Sequence, residues 1–238
     1  MSRSETRSAV ARRSFLTRFG AGAAAFGAAF ATGSSTVGAQ SPAEAAMPWR
    51  PIRHVEDEWL EQVSAKHRVF FDTTTADGFG EAIFFANNTF NANRTGYGLI
   101  DTDVAIVICA RHKSTAFGYT DAMWAKYGAA LSERTGVSDP KTKQPPNVNV
   151  FQTAGYGASF TNNGVLLDAM IKRGVRLAVC AMATRGLASL IARQSGGNVD
   201  EIFKELADHL VPNAHLVPAG IVAVNRAQER GYSFAYGG

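Results

Sequence analysis

Apolar positions along this chain alternate between two periods. Continuous short runs at Val69-Phe70-Phe71, Val104 to Ile108 and Val175 to Val179 read as buried strands. Between and after them, apolar residues recur at helical spacing. They are Met123, Trp124, Tyr127 and Leu131; then Val165, Leu166, Ala169 and Met170; then Leu187, Leu190 and Ile191; then Ile202, Phe203, Leu206 and Leu210. The pattern predicts a first strand over His67 to Asp72 and a hydroxyl- and glycine-rich turn from Thr73 to Gly80. A helix around Ile83, Phe84 and Phe90 should follow and fray at Asn91-Ala92-Asn93. Thr120 and Asp121 are good helix caps, Asn162 or Asn163 suits the next helix start, and Gly174 is placed to end that helix. Asn198 opens another amphipathic helix. A fourth strand is expected within Leu216 to Val224, at Ile221 to Val224 after Pro218-Ala219-Gly220, then a helical turn at Asn225 to Arg230 and a terminal strand at Tyr232 to Tyr236.

Strands alternating with helices predict the α/β class: three α/β/α layers around a mainly parallel, five-stranded sheet with flavodoxin-like layering. The domain should span residues 67–238. Residues 40–66 read as a flexible lead, with Pro42, Pro48 and Pro51, and a short helix at Glu56 to Val63 that packs Trp59 and Leu60. Arg134 to Phe160 is irregular and long for a connection, so it is a lid, an oligomer contact or a loose segment. Its Val148, Val150, Phe151, Tyr156 and Phe160 favour an interface between copies and a homo-oligomer.

The first 39 residues stand apart. Arg12-Arg13-Ser14-Phe15-Leu16 is a twin-arginine signature, an Ala/Gly/Phe tract follows, and Val37-Gly38-Ala39 offers a cleavage site before Gln40. The tract is too weakly apolar for a spanning helix, so the expectation is export to the periplasm with no membrane segment after cleavage. This segment carries Arg3, Arg7, Arg12, Arg13 and Arg18 against Glu5, and so accounts for the whole formal charge of +4. The remaining chain is neutral, which removes any basic surface for nucleic acid. At about 200 residues it suffices for one domain with a full core.

Candidate chemistry gathers where strands end. In parallel sheets, ligands collect at the carboxyl ends of the strands, and Cys180 sits there, between the run from Val175 and the helix that follows. A thiol at a helix N-terminus lies near the positive dipole end and free N–H groups, which favours the thiolate; Arg185 is near enough in sequence to add positive charge. The competing reading makes Cys180 a small buried hydrophobe. Cys109 ends the second strand and is followed by Arg111-His112-Lys113, in which His112 suits a base or ligand-orienting role and Arg111 and Lys113 suit an anion. The alternative there is a solvated loop beside a buried Cys109. A Cu(I) donor set of Cys109, His112, Cys180 and Met182 matches no motif spacing, so no metal is expected. Gly78-Phe79-Gly80 lacks the third glycine of a dinucleotide loop and reads as a turn, so no cofactor is expected either. Two cysteines make no disulfide framework. A Cys109–Cys180 bridge needs adjacent strands, and the expectation is two free thiols.

With these residues laid out, the chain from His67 to Tyr236 resembles the DsrE/DsrF-like sulfur-relay family, in an exported branch. The resemblance is carried by Gly174 to Leu187, by the ending VPAGIVAVNRAQERGYSFAY from Val217, by the Arg-His pair after the second strand and by Asp121 to Tyr127. It implies a three-layer domain, homo-oligomers, and a cysteine after the third strand that accepts sulfur as a persulfide, here Cys180. The export signal and the Arg134–Phe160 segment depart from the relay pattern. The resulting expectation is a periplasmic sulfur or persulfide carrier acting through Cys180, with Arg111, His112, Arg185 and Cys109 around the substrate and a sulfur donor or acceptor as partner. The alternative is a non-catalytic oligomeric module that binds a small ligand at the same sheet edge.

Overall fold

The computed structural model describes residues 50–62 and 64–238. The expected signal segment, residues 1–39, and the lead as far as 49 lie outside the described residues. Five strands form one sheet: β1 (His67–Thr73), β2 (Val104–Ala110), β3 (Arg176–Cys180), β4 (Ala214–Val217) and β5 (Ser233–Gly237). Their order is β4-β3-β2-β1-β5, and every pairing is parallel. Helices connect them: α1 (Ala76–Tyr97), α2 (Asp121–Thr135), α3 (Leu167–Lys172), α4 (Ala181–Ser195), α5 (Val199–Asp208) and α6 (Gly220–Gln228). A 3₁₀ turn at Val55–Leu60 precedes β1. This is the three-layer α/β/α architecture expected from the alternation.

The chain steps from β1 to β4 in one direction across the sheet and then returns past β1 to β5. Right-handed crossovers therefore place α1 to α5 on one face and α6 on the other. Two separate cores agree with this. On the thick face, Ile106, Ile108, Leu177 and Val179 pack with Phe79, Phe117, Trp124, Leu187 and Leu206. On the thin face, Phe70, Ala105, Val107, Cys109 and Ala178 meet Leu60, Ala223, Val224 and Ala227. All seven residues of β2 are buried, as a central strand covered on both faces requires.

Three expectations need correction. The fourth strand is Ala214–Val217, and Ile221 to Val224 belongs to helix α6. Its buried positions are Gly220, Ala223, Val224 and Ala227, a helical spacing, while Ile221 and Val222 are exposed. Helix α1 begins at Ala76 and does not fray at the asparagines. Asn93 Nδ2 donates to the Thr89 carbonyl, and Arg173 reaches the side-chain oxygens of Asn87 and Asn91, so the polar stretch is tied in place. Helix α3 starts after Leu166 without a side-chain cap; Asn162 Nδ2 donates instead to the Val165 carbonyl.

Residues 134–160 are irregular but anchored within the chain. Phe151 packs on Phe79 and Phe117 at centroid distances of 5.5 and 4.7 Å, and Phe117 stacks on Trp124 at 5.5 Å. Asn149 is fully buried; its Nδ2 donates to the carbonyls of Phe117 and Tyr119, both at 2.9 Å, and its Oδ1 accepts the Phe151 N–H. Val150 and Phe151 are thus taken up by this chain's own core, so they do not call for a second copy. Replacing Asn149 with Ala would orphan two buried carbonyls. The expected cost is about 2–4 kcal/mol, read as a lower urea midpoint with an unchanged slope.

Candidate functional site

Because all five strands are parallel, their carboxyl ends open on one edge. There β1 contributes Asp72, which is in register with Cys109 of β2 on one side and Tyr236 of β5 on the other. Ala110 pairs with Val179 where β2 and β3 end, and the Arg111 side chain turns the other way, toward Asp72 of β1. Residues alternate across a sheet, and Asp72, Cys109 and Cys180 fall on the same face as Phe70, Val107 and Ala178, the face of α6.

Asp72 is 2 % exposed, and Arg111 closes over it. Nε of Arg111 donates to Asp72 Oδ1 at 2.7 Å and Nη2 to Oδ2 at 2.8 Å, a two-point clamp. This hydrogen bonding is the main reason the Arg111 pKa lies above its ordinary value. The Arg111 stem and Cys109 both press on the start of α6. A Cβ built on Gly220 would come within 2.7 Å of Arg111 Cβ and 2.9 Å of Cys109 Sγ, so only glycine fits without displacing them.

Both thiols are buried, Cys109 fully and Cys180 to 7 % exposure, and they differ in what surrounds them. Burial pushes the Cys109 pKa well above the ordinary thiol range, with the charge of Asp72 adding to the effect and Arg111 only partly offsetting it. Cys180 occupies the N-cap of α4, and its Sγ accepts the Ala183 N–H at 3.4 Å. That turn is braced from behind: Tyr119 Oη donates to Thr184 Oγ1 at 2.8 Å, and Thr184 donates to the Cys180 carbonyl at 2.9 Å. Burial raises the Tyr119 pKa, so its hydroxyl stays a donor. The thiols are unpaired. Although β2 and β3 are adjacent, Cys180 lies two residues beyond the partner of Cys109. Strand spacing and rise put their Cα atoms about 8 Å apart, past the roughly 7 Å limit for a disulfide.

The remaining candidates are not gathered at Cys180. His112, with φ at 59°, and Lys113 stand on the exposed turn after β2, and neither side chain is hydrogen-bonded among the described residues. Arg185 faces α5: its Nη1 lies 2.5 Å from Asp200 Oδ1, and its guanidinium sits 5.3 Å from the Phe203 ring centroid. It borders an open groove of about 620 Å³ with Met182, Phe203 and Pro218. No three His, Cys, Asp or Glu side chains converge as a metal set among the described residues. Gly78 and Gly80 are packing glycines in α1, where Gly78 lies against the backbone of Gly237.

In the sequence Asp72 shows no evident carboxylate partner, and Gly220 carries no functional signal. A signal for the first existed, since apolar strands ending in Asp72 and followed by Arg111 place opposite charges at neighbouring strand ends. Gly220 was read as a turn residue before a strand, which hid its contact.

The fold and edge define an all-parallel α/β domain with a carboxylate–guanidinium clamp between the ends of β1 and β2 and an N-cap thiol at the end of β3. Comparison of the chain with protein-family models, curated proteins and solved structures found no match. Given these settings, iodoacetamide at about pH 8 should modify Cys180 in the native protein and reach Cys109 only after unfolding in urea. Peptide mapping distinguishes the two, and native labelling of Cys109 would contradict the burial.

Proposed function

We propose that the protein is a periplasmic carrier of sulfane sulfur, of the DsrE-like type its sequence resembles, with Cys180 as the sulfur-bearing residue. The observation that carries the reading is the N-cap position of Cys180 at the carboxyl edge of the sheet, its Sγ hydrogen-bonded to a first-turn N–H of α4. The sulfur thus faces the amino end of α4, where a backbone N–H meets charge that develops on it. The thiolate attacks the outer sulfur of a sulfane donor. A new Sγ–S bond forms while the donor's S–S bond breaks, and the rest of the donor leaves with that electron pair. The resulting perthiolate passes its outer sulfur to an acceptor thiolate by the same displacement, which returns Cys180 as a thiolate. No net oxidation occurs. The Ala183 N–H in the first turn of α4 meets the reacting sulfur. His112 and Arg185 have no role in this step, the first lying on an exposed turn and the second paired with Asp200.

A second reading, a non-catalytic module that binds a small ligand, is favoured by the groove of about 620 Å³ beside Ala181 and Pro218. Sulfur loading separates the two. After incubation with thiosulfate and removal of excess, mass spectrometry should show one added sulfur atom on the Cys180 peptide and none in Cys180→Ser. An unmodified Cys180 would leave the binding-module reading.

Export through the twin-arginine pathway belongs to the same proposal and rests on Arg12-Arg13 and Val37-Gly38-Ala39. No described helix is long and apolar enough to cross a membrane. Replacing both arginines with lysine should trap the precursor in the cytoplasm, as read by fractionation and blotting. Undiminished periplasmic protein would refute the route.

A further inference from the structure

A groove of about 620 Å³ opens where the amino-terminal halves of α4 and α5 meet the turn after β4. Four of its six lining residues, Ala181, Met182, Phe203 and Pro218, are apolar. Met182 is 71 % exposed, whereas Phe203 is half-buried and packed against the thick-face core. Val217 pairs with Cys180 where β4 and β3 end, and the next residue of each, Pro218 and Ala181, lines the groove. Arg185 and Asp200, the two charged lining residues, are bound to each other at 2.5 Å and tie α4 to α5. Their charges cancel, so the groove offers apolar walls and no unpaired charge. Its volume falls in the range of small-molecule sites. An ion entering it would lose water and meet no unspent opposite charge, which is costly. An aromatic ring gains burial against Pro218, a ring contact with Phe203 and a thioether contact with Met182.

We infer that this groove is a binding site for a small uncharged aromatic molecule, held between Met182, Phe203 and Pro218. The site belongs to the small-ligand reading of the sheet edge and rests on it; neither thiol takes part. Binding buries apolar surface without recruiting a charge, so added salt does not weaken it. A negative charge on the same ring system gains nothing from Arg185, which is already spent on Asp200.

Two dyes built on one ring skeleton test this. N-phenyl-1-naphthylamine is neutral, and 8-anilino-1-naphthalenesulfonate carries an added negative charge. Both fluoresce strongly only in an apolar setting, so titrating the purified protein with each compares the ring system with and without charge. The expected result is saturable one-to-one binding of the neutral dye, with the sulfonate roughly tenfold weaker because its charge is desolvated without a partner. Met182→Glu alters a side chain that is already exposed, so the fold is retained. It should weaken the neutral dye by roughly tenfold, through lost apolar contact and a charge at the groove. Phe85→Glu, on the exposed side of α1 and outside the groove, should leave binding unchanged. Equal affinity for the two dyes would overturn the ligand class and leave the small-ligand reading in place. Loss of binding in Phe85→Glu, or none in Met182→Glu, would put the dye elsewhere and overturn the site. A protein that takes up neither dye would remove the small-ligand reading, and the inference with it.

Discussion

A parallel sheet must be covered on both faces, and this chain meets that requirement unequally. Five helices and the irregular segment 134–160 cover one face. The other has α6 and the short arm before β1. The arm is held accordingly. Leu60 is fully buried, Trp59 stacks on His215 of β4 at 4.3 Å, and Tyr232 Oη donates to the Leu60 carbonyl at 2.8 Å. Glu61 lies within ion-pair distance of Arg53, Arg68 and Arg230, and Asp57 faces Arg226 of α6. Arm and helix together complete a cover that neither provides alone. Asp72, Cys109 and Cys180 all lie on this thin side.

Energetics separates what the site residues do for the fold from what they do for chemistry. A buried Arg–Asp pair is seldom a net gain over a well-packed apolar pair of the same volume, because both ions lose their water. The clamp is therefore a poor stability device, and its placement at the strand ends is the more informative fact. Cys109 behaves in the opposite way. Sealed under Gly220 and Arg111 and next to Asp72, it is held as a neutral thiol and packs like a small apolar residue. Two cysteines on neighbouring strands thus come to differ in chemistry through one shift of register and one helix start.

The central half of the fold could be read from the residues. The runs at Phe70, Ile106 and Ala178 are apolar enough to be strands whatever surrounds them, and the strand–Cys180–helix passage was legible from its pattern. The misreadings have a common origin in tertiary context. Ile221-Val222-Ala223-Val224 has strand-like composition, but the thin face needed a helix there, and its small residues Gly220, Ala223 and Ala227 let that helix lie close on the sheet. The asparagines of α1 are weak helix formers alone, and Arg173, 86 residues after Asn87 and 82 after Asn91, makes them acceptable. At the site, Cys180 and Arg111 were visible as residue types at strand ends. The clamp of Arg111 on Asp72 depends on which strands are neighbours, and local pattern does not carry that.

The inequality of the two faces bears on where a reactive edge can persist. On the thick side, the space above the strand ends is filled by Phe117, Phe151 and the buried amide of Asn149. On the thin side, α6 begins at the strand ends without a side-chain cap on Ala219, and its first exposed residues, Ile221 and Val222, face outward. The glycine that starts this helix is also the residue in contact with Arg111 and Cys109. Any displacement of α6 therefore moves the clamp directly, through a contact that has no slack. Cover and clamp are set by the same few atoms: the helix that completes the sheet's second face also presses on the guanidinium stem that closes over Asp72.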